Sequence, residues 1–281
     1  MAIKTVKATI NGQTYDLTLN SASGKWEATI TAPGKTSYNL AGGYYNVSVE
    51  ATNEAGTKGS ADASTVDGLK LVVKETVAPV ITIVSPTAGA YVANSKQPVV
   101  FNITDETGGS GVDISTLVVK QDDTAVASAN ITHTAISNGY SVTYTPSAAL
   151  SDGSHTVTIN CKDHDGNAAA KKSTTYTVDT VPPTLNVTSP ADGLITAASS
   201  VTVAGTTNDA TSSPVVITIS LNGTDQGTVA VGTGGTFSKV ITLKEGSNTI
   251  IVKAKDAAGK ESSVTRTVTL DTSVPKIKAA T

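Results

Sequence analysis

The sequence predicts an all-β protein of three tandem β-sandwich modules in an elongated rod, with the first module atypical or incomplete. Three observations predict this class. One strand-and-turn pattern occurs three times, a proline-containing segment follows each copy after a further alternating run, and no segment carries helical periodicity over about 12 residues. Short alternating runs separated by Gly and Asx turn signals are typical of sandwiches.

The repeated pattern occupies residues 40–56, 150–166 and 243–259. Each copy starts with Leu, has Gly three positions later, continues with alternating apolar positions, and ends with Asn or Asp followed three residues later by Gly. Alternation with a period of two predicts a half-buried strand. The Asx residue and the left-handed Gly predict a tight turn after it, so each copy predicts a hairpin.

The joints are marked by residues 76–79, 180–183 and 272–275, where a Thr precedes a proline three residues later. Proline is tolerated at the start of a strand and stiffens a connection. The predicted modules are therefore 1–77, 78–181 and 182–275, and residues 276–281 are a stub or the start of a further module.

The first module begins late relative to the third. Its Ile10-Asn11-Gly12 corresponds to Leu221-Asn222-Gly223, which lies in the middle of the third module. The first two strands of a complete sandwich are therefore predicted to be missing, and this module is a candidate docking module.

Composition excludes several classes of function. The net charge is −3 and basic residues are scattered, which argues against nucleic acid as a partner. Cys161 is the single cysteine, so no internal disulfide is possible. We find no signal-peptide core and no apolar run of about 18 residues, so we expect no membrane insertion and no ordinary secretion.

Two of the hairpins carry a family resemblance. Residues 157–167 and 250–259 resemble the penultimate hairpin of bacterial immunoglobulin-like (Big-type) repeats, and residues 105–113 resemble a loop common in that group. The resemblance implies an immunoglobulin-like fold for each module. Such repeats occur on tailed-phage virion proteins, on bacterial surface adhesins, and as spacers in secreted polysaccharide enzymes, so the resemblance is specific for fold and not for function.

We predict that the protein is not an enzyme. Nucleophile-elbow, phosphate-loop and zinc-protease motifs are absent from the sequence. Cys161 aligns with Ala51 and Ala254 on the inward face of the repeat, which favours a small buried residue over a nucleophile. The three histidines have no spacing that fits a zinc site, and we expect solvated surface positions for them. They are His133, His155 and His164.

Calcium is the one cofactor with candidate ligands, because acidic residues cluster in loops near the predicted joints. The alternative is that these acids cap turns, and no other cofactor is expected. The candidates are Asp105, Glu106, Asp113, Asp163 and Asp165.

Tyrosines in the first module form a candidate contact patch, because exposed rings offer flat faces to sugars or proteins. Tyr38 and Tyr44 are the candidates, while alternation places Tyr45 inward. Packing in the core or at a sheet edge is the alternative. We also expect one core aromatic per module, at Trp26, Tyr140 and Phe237.

The predicted function is a structural or decoration protein of a tailed phage or phage-like particle, present in multiple copies in the virion after synthesis in the host cytoplasm. Module one would bind other virion proteins, and modules two and three would adhere weakly to host surface glycans. The alternatives are a bacterial cell-surface adhesin fragment and a spacer region of a secreted carbohydrate-active enzyme.

Overall fold

The computed structural model describes residues 2–275 and is all-β. In this range the helical segments are four short 3-10 turns, at Ala41–Gly43, Asp67–Leu69, Ser128–Asn130 and Thr233–Gly235. None of the helices described there has the length and apolar character needed to cross a bilayer. The predicted stub at 276–281 lies outside the described residues.

The chain divides into two compact units. The first comprises the residues up to Ser85, Val99–Tyr144 and Val157–Ser173. The second comprises Pro86–Pro98, Thr145–Thr156 and the residues from Thr174 onward. This division passes through the predicted second module, whereas each of the five sheets stays within one predicted module. The boundaries at 77 and 181 therefore stay a prediction.

The first module folds as one six-stranded sheet of order β3-β2-β1-β4-β5, with β6 also paired to β4. The strands are β1 (Ile3–Ile10), β2 (Gln13–Asn20), β3 (Lys25–Glu27), β4 (Tyr45–Asn53), β5 (Lys58–Ala61) and β6 (Lys70–Leu71). The other modules have two sheets each, which agrees with the prediction of an atypical first module.

The second module has two sheets, of order β11-β10-β14-β15-β8 and β12-β13-β9-β7. The strands are β7 (Val80–Ser85), β8 (Tyr91–Val92), β9 (Val99–Thr104), β10 (Val112–Gln121), β11 (Thr124–Ala125), β12 (Ile131–Ile136), β13 (Gly139–Tyr144), β14 (Gly153–Asp163) and β15 (Lys172–Val178). Both β14 and β15 continue from one compact unit into the other.

The third module, which lies in the second unit, has sheets of order β16-β18-β21 and β17-β23-β22-β19-β20. The strands are β16 (Thr184–Ser189), β17 (Leu194–Thr196), β18 (Ser200–Asn208), β19 (Val216–Leu221), β20 (Thr224–Val229), β21 (Thr236–Thr242), β22 (Gly246–Lys255) and β23 (Glu261–Leu270). Their inward side chains form one core that includes Val203, Ile219, Phe237, Ile250 and Val252.

The predicted repeat is visible in strand register. Its strands are β4, β14 and β22, and each pairs antiparallel with an equivalent neighbour: Ile10 faces Val47 in the first module, and Leu221 faces Ile250 in the third. In the second module the equivalent residue, Val157, faces Gln121 on the neighbouring strand. The glycine that ends each turn adopts a positive φ, as predicted: 80° at residue 56, 98° at residue 166 and 90° at residue 259.

The repeat position occupied by Ala51, Cys161 and Ala254 is not equally buried in the three modules. Cys161 and Ala254 are buried, as predicted, but Ala51 is only half-buried. The expectation of three matching interior positions is therefore wrong for the first module. Residues 3–71 form a single sheet there, so the inward face of β4 has no facing sheet to cover it.

The aromatic predictions are confirmed in part. Phe237 is buried in the third core and Tyr45 is buried as alternation predicts, whereas Trp26 and Tyr140 are only half-buried. The fully buried aromatic rings of the second module are instead those of Phe101, on β9, and Tyr176, on β15. Trp26 lies on β3, a three-residue strand at the edge of the first sheet, where one side has no neighbouring strand to pack against.

Candidate functional site at the module joints

The first joint lies within the first compact unit and is centred on Asp165. This residue belongs to the tight turn that follows β14. Its Oδ2 accepts a hydrogen bond from Thr36 Oγ1 at 2.5 Å and one from the backbone N–H of Glu75 at 3.0 Å. Lys74 Nζ donates to its backbone carbonyl at 3.2 Å. One turn of the second module is thus bound to two separate segments of the first.

Further contacts surround this centre. The ring of Tyr38 is stacked on His164, and Asn39 Nδ2 donates to the carbonyl of Gly109 at 2.6 Å. Asn167 Nδ2 donates to the carbonyl of Glu75 at 3.1 Å. The hydrogen bonds to the Asp165 carboxylate are charge-assisted and therefore stronger than these bonds between neutral groups.

A first acid cluster lies at this joint. Oxygens of Glu75, Asp105 and Glu106 all lie within 4.8 Å of one another. Glu75 precedes the joint, while Asp105 and Glu106 directly follow β9. Asp105 Oδ2 accepts the N–H of Gly111 at 2.7 Å, but its Oδ1 has no hydrogen-bond partner among the described residues, although Asp105 is only 7% exposed.

Electrostatics in this cluster are unfavourable to full ionisation. Loss of solvation and the adjacent Asp105 carboxyl raise the pKa of Glu106 to about 7. Burial and the Asp163 side chain also raise the pKa of Glu75. Burial would raise the pKa of Asp163 as well, but hydrogen bonds from the Asn167 side chain and backbone prevail and lower it. Closely spaced carboxylates oppose one another's ionisation.

A second acid cluster lies within the second compact unit. Oxygens of Asp179, Asp209 and Asp256 lie within 4.8 Å of one another. Asp179 follows β15 at the end of the second module, and the other two follow β18 and β22. Asp256 is 5% exposed, and its Oδ2 has no hydrogen-bond partner within residues 2–275.

Each cluster contains one acid that directly precedes a predicted joint, Glu75 in the first and Asp179 in the second. These two joint acids occupy equivalent positions. The carboxylate of Glu75 accepts the backbone N–H of Val77, and that of Asp179 accepts the N–H of Val181. Each also accepts a serine hydroxyl. The serines are Ser110 and Ser212.

Two further pairs of acids make equivalent hydrogen bonds in the second and third modules. The strand-end acids are those that directly follow β9 and β18, and the turn acids are those that begin the turns after β14 and β22. The strand-end acids Asp105 and Asp209 accept backbone N–H groups from their own loops. The turn acids Asp163 and Asp256 both accept the backbone N–H four residues later.

The predicted calcium candidates separate into two groups. Asp105 and Glu106 belong to the first acid cluster, and Asp163 contacts its member Glu75. Asp165 is engaged in the joint, while Asp113 Oδ1 accepts the backbone N–H and the hydroxyl of Ser115. These last two carboxylates are therefore held by hydrogen bonds.

Sequence reasoning missed four members of the clusters. They are Glu75, Asp179, Asp209 and Asp256. A signal for the first two was present, because an acid stands directly before the Thr that begins each joint, at residues 75, 179 and 271.

The two tyrosine candidates have different neighbours. Tyr38 is 46% exposed but stacks on His164 at the joint. Tyr44 is half-buried, and Lys70 Nζ lies 5.3 Å from its ring centroid. The contact patch stays a prediction.

Cys161 and His155, which were considered as possible catalytic residues, are both buried. Burial raises the pKa of the Cys161 thiol, which disfavours the reactive thiolate. The expectation of a surface position is wrong for His155, which is buried with Nε2 2.8 Å from the carbonyl oxygen of Ser151. Its aligned partners Tyr45 and Asn248 are buried too, so this position faces the core in all three modules.

Two family models match the chain. Residues 88–180 match the bacterial Ig-like domain, and residues 183–272 match domain B of glucodextranase. The predicted resemblance to bacterial immunoglobulin-like tandem repeats and the all-β fold class are thereby confirmed. No curated protein matches the sequence.

Solved structures with a similar fold include fibronectin(III)-like modules of CbhA from Clostridium thermocellum. They share 15% identity and a TM-score of 0.45, over 72% of this chain and 100% of that one. Domains A168-A170 of titin share 14% identity and a TM-score of 0.44, over 94% of this chain and 85% of that one.

Proposed function

We propose that this chain, a tandem of bacterial immunoglobulin-like modules, is a non-enzymatic structural protein whose modules space or display other components. The hydrogen-bond network around Asp165 is the observation that carries the proposal. A spacer needs each module to hold the next in a defined orientation, and two segments of the first module contact one turn of the second. Burial raises the pKa of the Cys161 thiol, which disfavours a role for it as a nucleophile.

Spin-label distances across the first joint test this role. Labels at Lys7 and Thr134, in a chain whose Cys161 is replaced by alanine, report on two exposed positions in the first compact unit. We expect a narrow distance distribution in the parent chain and a clearly broader one after Asp165→Ala. Asp123→Asn, in an exposed turn with φ of 63°, is the matched control and should change nothing. Equally broad distributions in all three proteins would contradict a fixed joint.

The setting that we propose is the virion of a tailed phage or phage-like particle, with several copies docked through the first module. An open apolar groove of about 310 Å³ in this module supports docking, because a lone sheet leaves one face partly uncovered. Its lining includes Ile10, Leu17, Ile30, Val47 and Leu71. The proposed occupant is an apolar segment of a neighbouring particle protein.

Electron microscopy of particles labelled with an antibody to residues 182–275 tests the setting. We expect label at regular positions on the particle, and loss of the chain from purified particles after Leu17→Asp. The exposed variant Thr18→Asp on the same strand is the control. Label on intact bacterial cells instead of particles would favour the cell-surface adhesin.

A spacer in a secreted carbohydrate-active enzyme is the second candidate, and the match of residues 183–272 to glucodextranase domain B favours it. Affinity electrophoresis in gels containing starch, dextran, xylan or β-glucan separates the two settings. Retardation by one polysaccharide supports the enzyme spacer. Migration unchanged in all gels, with retention on a glycan array of host surface sugars, supports the attachment role of modules two and three.

A further inference from the structure

We infer that each module joint contains a binding site for a calcium-class divalent cation, formed by Glu75, Asp105 and Glu106 at the first joint and by Asp179, Asp209 and Asp256 at the second. The inference goes beyond the proposed spacer role and does not depend on it. It concerns what stabilises the joints.

The spacing of the ligand atoms fits one shared ion. Calcium binds carboxylate oxygens at about 2.3–2.6 Å, so two oxygens on one ion lie at most about 5 Å apart. In both clusters the three carboxylate oxygens lie within 4.8 Å of one another. Hard oxygen donors without histidine or cysteine select calcium or magnesium over zinc.

Both clusters also hold a buried carboxylate oxygen without a hydrogen-bond partner in the described part of the chain. These are Oδ1 of Asp105, a residue 7% exposed, and Oδ2 of Asp256, a residue 5% exposed. Buried polar atoms are nearly always paired, because an unpaired one loses its hydration without compensation. A bound cation would supply the missing partner at each joint.

Repulsion between the carboxylates of each cluster also favours a bound cation. Three carboxyl groups converge in each cluster, and bringing carboxylates this close together without a counter-charge is costly because each opposes the ionisation of the others. A divalent cation would offset this cost and favour the ionised forms.

Recurrence argues against a chance grouping. The joint acid and strand-end acid occupy matching positions at the two joints, and a serine hydroxyl contacts the joint acid in both. The third ligand differs: Glu106 supplies it at the first joint and the turn acid Asp256 at the second. At the first joint the equivalent turn acid, Asp163, is instead occupied by hydrogen bonds from Asn167.

Calcium binding to the full chain, measured by isothermal titration and by ⁴⁵Ca equilibrium dialysis, tests the inference. We expect two ions per chain, one in Asp105→Asn or Asp256→Asn, and none in the double variant. The matched control is Asp271→Asn, because Asp271 stands at the position of Asp179 in the repeat and belongs to neither cluster. It should keep two ions.

Thermal unfolding adds a second readout. Calcium should raise the melting temperature of the parent chain and EDTA should lower it, with the shift reduced in each single variant. Glu106→Gln and Asp209→Asn replace the first pair of variants if circular dichroism shows that either is unfolded. Binding absent from the parent chain, or stoichiometry unaffected by all four variants, would overturn the inference. A narrow spin-label distribution in EDTA would leave the spacer proposal intact in that case.

Discussion

The ring of Tyr38 lies on the imidazole of His164 with centroids 4.5 Å apart and planes inclined by 9°. Tyr38 belongs to the first module and His164 to the turn after β14 in the second. The stacked pair therefore joins two segments that are far apart in sequence, at the edge of the hydrogen-bond network of Asp165.

Loss of this ring should loosen the first joint. We expect Tyr38→Ala to cost about 1 kcal/mol of joint stability, because stacked aromatic pairs contribute about 0.5–1.5 kcal/mol. Limited proteolysis of residues 74–79 measures the opening, and the cleavage rate should rise about fivefold. Tyr38→Phe keeps the ring and should cleave at the parent rate. Equal rates in Tyr38→Ala and Tyr38→Phe would show that the stack contributes nothing.

Asn248 should be the polar side chain on which the third module depends most. It is fully buried, its Oδ1 accepts the N–H of Lys244 at 2.9 Å, and its Nδ2 donates to the carbonyls of Lys244 and Gly246. We expect Asn248→Ala to lower the free energy of unfolding by about 2–4 kcal/mol, since it removes the hydrogen bonds of a fully buried amide and leaves a cavity in its place. Hydrogen exchange of the β22 amides measures this. The exposed Asn186→Ala should leave exchange unchanged.

Alanine substitutions at two adjacent glycines allow the cost of backbone strain to be measured apart from the cost of a steric clash. Gly234 and Gly235 both have positive φ, but a Cβ at 235 would lie 1.8 Å from the carbonyl oxygen of Thr207, while a Cβ at 234 would meet nothing within 4 Å. We expect Gly234→Ala to cost about 1–2 kcal/mol from the left-handed conformation. Gly235→Ala should cost clearly more. Thermal unfolding compares them, and equal melting temperatures would contradict the predicted clash.

The Cys161 thiol should be inert in the folded protein. Burial raises its pKa, so both access and thiolate formation are disfavoured. We expect no reaction with Ellman's reagent at pH 8 until urea is added, whereas a cysteine introduced by Thr134→Cys should react at once. Cys161→Ala should cost only about 1 kcal/mol, because alanine occupies the matched position 254. Rapid modification of the native parent chain would contradict this burial.

Local pattern was sufficient to predict the hairpins. Alternation around Cys161 and Ala254 identifies the inward face, and the left-handed glycines at 166 and 259 end the turns as expected. Each of these features depends on neighbours within a few residues. The same pattern could not reveal that Ala51 is half-buried, because its cover depends on whether a second sheet faces β4.

The acid clusters were only partly predictable for a similar reason. Asp105 and Glu106 stood out as loop acids, but Glu75 lies about 30 residues earlier and meets them only when the two modules are joined. Nothing in the spacing distinguishes Asp256, whose Oδ2 stays unpaired, from Asp163, which Asn167 occupies. That difference arises from one side chain in the turn.

The position of Asp179 bears on how such arrays can grow by duplication. Its carboxylate belongs to the end of one module, but its partners Ser212 and Asp209 belong to the next. The second module therefore ends with an acid for the third, and it carries a serine and a strand-end acid, Ser110 and Asp105, that meet Glu75 of the first. An in-frame copy of residues 78–181 would place Asp179 of one copy directly before a module that carries Ser110 and Asp105. A fragment cut at residue 181 would leave its terminal acid without the groups that bury it.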